Sequence, residues 1–187
     1  MKKIDLPSGL IMKREFTSLT PQEALHVAIF IEERNADLYQ QFAEMFAEFK
    51  DPESLEIAQV FWEMAQEERT HGTFLQERYF ERYGTQACVV TEQEIREFIE
   101  VPRLENSDIF AVARTRSAIA PRRTALKVAL EAELSAQNYY RELAGNTHDK
   151  QLRAIYVELA GYETNHTALL EKKLEEANRA VGGGDPA

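Results

Sequence analysis

The chain contains the same two short motifs twice, in the same order along its 187 residues. A Glu-x6-Tyr motif is followed by Glu-x-x-His, and both return in the second half after shifts of 101 and 95 residues. One Glu-x-x-His in a charged sequence indicates little, but two ordered repeats predict two halves of similar structure. The eight residues are Glu32, Tyr39, Glu68, His71, Glu133, Tyr140, Glu163 and His166.

Four long segments have apolar residues at helical spacing. Thr20-Pro21-Gln22-Glu23 combines an N-cap, a helix-initial proline and an acidic residue at the third position. Asp51-Pro52 gives a similar start signal, and Tyr83-Gly84 gives a stop signal. We predict helices over residues 21–49, 52–82, 121–144 and 149–180.

These segments predict an all-α protein, an antiparallel four-helix bundle. Short turns join the helices within each pair, and the connection between the pairs is long enough to return along the bundle. Capping signals predict short helices within this connection, one of them from Thr91 to Pro102. The predicted order is a lead-in at 1–19, the bundle at 20–180 and a flexible tail at 181–187. Within the bundle, two helices occupy residues 20–83, the crossover occupies residues 84–120, and two further helices occupy residues 121–180.

The repeated glutamates and histidines lie on the predicted core faces of the helices. Positions three, four or seven apart share a face, so Glu32 lies in line with Leu25 and Tyr39, and the other helices have equivalent columns. Four carboxylates in one core repel one another, and a buried carboxylate must be protonated, paired or bound to metal. Two divalent ions would balance four Glu and two neutral His.

An alternative is that the helices are slightly rotated and the motif residues face solvent. In that case Glu33 or Glu67, which adjoin the proposed ligands, would replace its neighbour. The register of the repeat favours Glu32 and Glu68. Tyr39 and Tyr140 also have two interpretations, since they are either residues of the site or ordinary core aromatics.

The proposed ligand set also indicates the type of metal. Carboxylates with imidazole suit iron or manganese, thiolates would suit zinc or iron–sulfur clusters, and calcium seldom uses imidazole. We therefore predict two iron ions, with manganese or a mixed pair as the alternative. The predicted ligands are Glu32, Glu68, His71, Glu133, Glu163 and His166.

Composition excludes several other classes of protein. A net charge of −10 argues against nucleic acid as a partner, because phosphate binding favours a basic surface. One cysteine excludes an internal disulfide. We find neither a signal-peptide core nor an apolar segment of the roughly 18 residues that a membrane span needs. We therefore expect a cytoplasmic protein with no membrane contact.

The repeated motifs resemble the di-iron carboxylate motifs of the rubrerythrin and erythrin-like branch of the ferritin-like superfamily. The likeness covers roughly residues 20–175 and is closest from Ala28 to Tyr39 and from Met64 to His71. It implies the ferritin-like bundle with one long crossover. It also implies roles for single residues: Glu32 and Glu133 as terminal ligands, Glu68 and Glu163 as bridges, His71 and His166 as ligands of one metal each, and Tyr39 and Tyr140 beside the cluster as hydrogen-bonding or electron-supplying groups.

The resemblance further implies a di-iron oxidoreductase that reacts with O₂ or H₂O₂, as a ferroxidase or a peroxidase. Its electron donor is not identified by the sequence, and a homodimer is expected. The alternative is a non-enzymatic protein for iron binding, storage or delivery.

The chain departs from rubrerythrins in two respects. A rubredoxin-like segment needs four cysteines, and this sequence has one. Rubrerythrins have an additional Glu one turn from the ligand of the third helix, where this chain has Ala129, Leu130, Ala136 and Gln137.

Overall fold

The protein is a bundle of four long helices joined in antiparallel pairs. The computed structural model describes residues 4–5, 11–12, 19–85, 99–100 and 119–182. Short turns connect the helices of each pair, and the long crossover separates the pairs, as the sequence predicts. The helices are α1 (Pro21–Ala47), α2 (Pro52–Tyr83), α3 (Ile119–Asn146) and α4 (Lys150–Gly182).

The capping signals in the sequence set the helix ends. Thr20 and Glu23 form a capping box, in which each side chain accepts a hydrogen bond from the other residue's backbone N–H. Asp51 caps α2 by accepting from the backbone N–H of Ser54 at 2.9 Å. Gly84 ends α2 with a φ of 64°, a conformation that favours glycine.

Two apolar layers hold the bundle together. α1 packs along α2, and α3 packs along α4. One layer lies toward the start of α1 and includes Leu25, Leu75 and Tyr139, whereas the other includes Phe46 and Phe61. On each helix the motif glutamates and histidines fall between these two layers, whereas Tyr39 and Tyr140 belong to the layers themselves. Within the described ranges, no helix has the combination of length and apolarity that crossing a membrane requires.

The structure differs from the prediction in the short elements. Strands β1 (Ile4–Asp5), β2 (Ile11–Met12) and β3 (Ile99–Glu100) form a small antiparallel sheet in the order β1-β2-β3. The sequence pattern predicted a loose lead-in for the first two and part of a short helix for the third. Strands of two residues are too short for an alternating pattern to show.

Other boundaries move by a few residues. α3 begins at Ile119, two residues before the predicted start at Pro121, and α4 continues to Gly182. Proline fits the first turn of a helix, where its missing N–H has no partner to lose. The remaining crossover helices and the end of the tail lie outside the described residues.

Candidate metal centre

The structure brings the six motif side chains together in the middle of the bundle. The four glutamates come from four different helices and have no solvent exposure. His166 is also buried, whereas the side chain of His71 is 12% exposed. This convergence follows from the helical spacing, which aligns each motif with the core face of its helix. The glutamates are Glu32, Glu68, Glu133 and Glu163.

The ligand atoms form two groups that share one glutamate. Within each group, one oxygen or nitrogen from every member lies within 4.8 Å of those of all other members. Glu68 belongs to both groups, a position from which a carboxylate can bridge two ions. The first group is Glu32, Glu68 and His71, and the second is Glu68, Glu133, Glu163 and His166.

The resemblance implies a bridge from Glu163 as well. Glu163 has an oxygen within 4.8 Å of the other ligand atoms of the second group, and it is not a member of the first group. The two groups therefore differ in the number of their members, although the motifs that supply them are equivalent.

His166 is held between carboxylates on both sides of its ring. Its Nδ1 lies 2.9 Å from Glu68 Oε1 and 3.2 Å from Glu133 Oε2. On the opposite side, its Nε2 lies 2.8 Å from Oε2 of Glu67, whose side chain is 62% exposed. The ring is thus oriented with Nδ1 toward the centre.

His71 is held more loosely. Its Nδ1 lies 3.4 Å from Glu32 Oε2 and 3.9 Å from Glu68 Oε2. The ring of Tyr162 stacks on the imidazole with a centroid distance of 4.6 Å and an interplanar angle of 16°. Tyr162 is itself 39% exposed, so an aromatic cover lies between His71 and solvent.

The two motif tyrosines hydrogen-bond across the repeat. Tyr39 of the first half donates to Oε1 of Glu133 in the second half. Tyr140 of the second half donates to Oε1 of Glu32 in the first. Both tyrosines are fully buried. Both phenols therefore contact carboxylates of the cluster as well as filling the core.

Burial and mutual repulsion disturb the ionisation of the carboxyl groups. Burial, together with the charge of Glu68, holds the pKa of Glu32 well above its usual value. Burial and the charge of Glu133 do the same to the pKa of Glu163. Glu68 is the exception: burial raises its pKa, but its contacts with Glu32 and the two histidines outweigh burial and lower the pKa to about 2.

The histidines respond in the opposite direction. Burial lowers the pKa of each, yet the neighbouring carboxylates raise the pKa of His71 to about 9 and that of His166 to about 12. Without metal, then, the cluster reduces its repulsion by taking up protons. Cations bound to the carboxylates would replace these protons.

Several ligand atoms lack the partners that buried polar groups normally have. Among the described residues, no well-directed hydrogen bond reaches either oxygen of Glu68 or Glu163, Oε2 of Glu32, or Nδ1 of His71. Such atoms are rare in protein interiors unless a ligand or ion satisfies them. A set of mostly oxygen donors with imidazole fits iron or manganese.

The neighbouring glutamates Glu33 and Glu67 lie outside both ligand groups. Glu33 is exposed and accepts a hydrogen bond from Gln76 Nε2 at 2.6 Å. Glu67 contacts the far side of His166. The contacts of Glu67 and Tyr162 with the histidines were not predicted. Both residues directly precede the glutamate of a Glu-x-x-His motif. Their equivalent positions in the repeat were therefore the sequence feature that could have drawn attention to them.

Comparison with known proteins agrees with this architecture. The Rubrerythrin family model matches residues 23–109 and 124–183, so the chain belongs to the Rubrerythrin family. Its fold is accordingly the ferritin-like four-helix bundle. No curated protein matches the chain.

Two solved structures share the fold. A crystal structure of an uncharacterised conserved protein from Magnetospirillum magnetotacticum is 23% identical, with a TM-score of 0.65, covering 84% of this chain and 95% of the other. A hypothetical protein from Pyrococcus furiosus is 18% identical, with a TM-score of 0.64, covering 90% of this chain and 96% of the other. At these identities the likeness concerns the fold alone.

Proposed function

We propose that the protein is a di-iron oxidoreductase that uses O₂ or H₂O₂ as its oxidant. The observation that carries this proposal is the pair of ligand groups sharing Glu68, with buried oxygens that no well-directed hydrogen bond reaches among the described residues. Two divalent ions would neutralise four glutamates and leave both histidines neutral. Manganese is the alternative metal for the same donor set.

Each ligand has a role that follows from its position. Glu68 would be shared by the two metal positions. Glu32 and His71 would complete one position, and Glu133, Glu163 and His166 would complete the other. Iron bound there would supply a pair of one-electron redox centres to a small oxidant. Tyr39 and Tyr140 would keep the glutamates that they contact oriented through their crossed hydrogen bonds.

The apolar layers and the exposed edge of His71 support reaction with a small molecule. Leu25 and Phe61 belong to layers on either side of the site that exclude bulk water. His71 is the ligand nearest to solvent, since its side chain is 12% exposed and that of His166 is 5% exposed. A diatomic or peroxide oxidant needs little more space than a water molecule.

The test is the rate of Fe²⁺ oxidation. Protein loaded with Fe²⁺ under anaerobic conditions is mixed in stopped flow with O₂ or with H₂O₂, beside free Fe²⁺ at equal concentration. We expect faster oxidation in the protein, with loss of the acceleration in Glu68→Gln. Glu63→Gln is the matched control, because Glu63 lies on the same helix but is exposed and accepts only from Gln59 among the described residues.

The outcomes separate the proposal from a non-enzymatic function. Bound Fe²⁺ that reacts no faster than free Fe²⁺ would contradict an oxidoreductase and leave iron storage or delivery. Failure of the wild-type protein to bind any Fe²⁺ would contradict both.

A further inference from the structure

The residue before the glutamate of each Glu-x-x-His motif contacts the histidine of the other motif. Glu67 precedes Glu68 and lies against His166, whereas Tyr162 precedes Glu163 and lies against His71. Glu67 and Tyr162 are repeat partners, separated by the same 95 residues as the motifs themselves. One structural position therefore has a carboxylate in one half and a phenol in the other.

Glu67 orients the ring of His166 and would select the tautomer that binds metal. Its Oε2 lies 2.8 Å from Nε2, where it can accept the Nε2–H. A metal ion that displaces the second proton of the ring would then meet the Nδ1 lone pair on the side of the ligand group. Nδ1 already lies 2.9 Å from Glu68 Oε1 and 3.2 Å from Glu133 Oε2. A carboxylate behind a ligand histidine in this way typically contributes 10- to 100-fold in metal affinity.

Tyr162 covers His71 without fixing its tautomer. The phenol stacks on the imidazole and donates its own hydrogen bond to Glu158 Oε1 at 2.8 Å. In the described helices, no carboxylate lies within ion-pair distance of His71 Nε2. Nδ1 of His71 is also farther from its carboxylates, at 3.4 Å and 3.9 Å.

We propose that the two metal positions are unequal: the His166 position binds its ion tightly, and the His71 position binds a second, exchangeable ion beneath Tyr162. Glu67 is the positioning residue of the tight position. Ligand number agrees with this order, since the His166 group has four members and the His71 group has three. The inference rests on the proposed function, because it assumes that the centre holds two ions.

Anaerobic calorimetric titration with Fe²⁺ tests the inference without measuring turnover. Wild-type protein should bind in two steps that differ at least about tenfold in affinity, with His166→Ala removing the tight step and His71→Ala the weak one. Glu67→Ala should weaken the tight step by about 10- to 100-fold and leave the weak step unchanged. Glu67→Gln should restore most of the loss, because its amide oxygen still accepts the Nε2–H.

Two controls separate positioning from damage to the fold. Glu63→Gln removes the same charge one turn earlier on α2 and should leave both steps unchanged. Glu67 is 62% exposed, so losing its ion pair with His166 should cost no more than about 1 kcal/mol. The metal-free Glu67→Ala variant should therefore melt within about 4 °C of the wild type.

Three outcomes would overturn the inference. Two equivalent sites in wild-type protein, or a tight step that Glu67→Ala changes less than twofold, would overturn it while leaving the di-iron proposal intact. No binding of Fe²⁺ to wild-type protein would overturn both.

Discussion

The two halves of the bundle offer the same ligand types from the same positions, but the residues around these ligands differ. Ala36 and Gly72 in the first half correspond to Gln137 and Thr167 in the second. A groove of about 370 Å³ lies over Ala36 and Gly72. In the second half, Gln137 is buried and donates to Thr164 Oγ1 at 2.8 Å.

This difference shows which parts of a repeat are constrained. The four glutamates must meet at one point, so their positions are equivalent in both halves. Their neighbours touch solvent or another helix, so the surroundings of the two ligand groups can differ while the glutamates stay in place. A centre with nearly symmetric ligands thus has asymmetric surroundings.

The largest effect should come from the shared glutamate. Glu68→Gln should remove binding at both metal positions, whereas its repeat partner Glu163→Gln should weaken only the His166 position. Removing one partner from a buried ion pair costs about 3–5 kcal/mol, which is about two to four decades in affinity. Metal content per chain after dialysis measures the result, and equal losses in the two variants would show that the centre is symmetric.

The stability of the metal-free protein should fall as the pH rises from 6.5 to 9. The pKa of His71 is raised from 6.5 to about 9, so the folded state retains a proton that the unfolded state has already lost. The stabilisation is therefore complete below pH 6.5 and is lost as the pH approaches 9. At about 1.4 kcal/mol per pKa unit, it is on the order of 3 kcal/mol.

Urea midpoints of chelator-treated protein at several pH values check this slope. His71→Gln should reduce this slope between pH 6.5 and 9 without removing it, because the pKa of His166 is raised to about 12 and His166 contributes a slope of its own. His166→Gln should likewise reduce the slope. Affinity for Fe²⁺ should change in the opposite direction and rise with pH, because protons must leave the site when metal binds. A metal-free stability that rises over this range contradicts the prediction.

The crossed tyrosines should give nearly equal effects in the two halves. Tyr39→Phe removes the donor to Glu133, and Tyr140→Phe removes the donor to Glu32. Each variant should lose about 10- to 100-fold in Fe²⁺ affinity, as expected when a partner that orients a ligand is lost. Titration of the two variants with Fe²⁺ side by side compares their losses of affinity. An effect confined to one tyrosine would show that the two hydrogen bonds are also unequal.

The smallest effect concerns the groove. In Gly72→Ala, the new methyl group would lie 3.5 Å from Glu32 Cβ and 3.9 Å from Glu33 Cγ, which are ordinary contacts. Replacing a helical glycine by alanine should stabilise the protein by about 0.4–1 kcal/mol. The melting temperature should rise by roughly 1–4 °C, and a decrease would mean that the groove does not accommodate the methyl group.

The bundle and the convergence of the ligands could be predicted from sequence because helical spacing repeats along every helix. Glu32 and Glu68 are fully buried while their neighbours Glu33 and Glu67 are exposed, in agreement with the register of the repeat. The contacts of Glu67 and Tyr162 could not be predicted in this way. They depend on how α2 and α4 face each other, and no pattern within one helix contains that information.

The pairing of β3 with β2 was missed for a related reason. Ile11 pairs with Glu100, and Met12 pairs with Ile99, across nearly the whole first half of the chain. Pairing over such a distance leaves no local signal, and a capping box near Thr91 favoured a helix instead.

The crossed hydrogen bonds of Tyr39 and Tyr140 have a consequence for the origin of the repeat. Each helical hairpin supplies the phenol that the other hairpin's glutamate needs, so one hairpin alone would leave a tyrosine and a carboxylate unmatched. An ancestral protein of half this length could complete such a centre only by pairing with a second copy of itself.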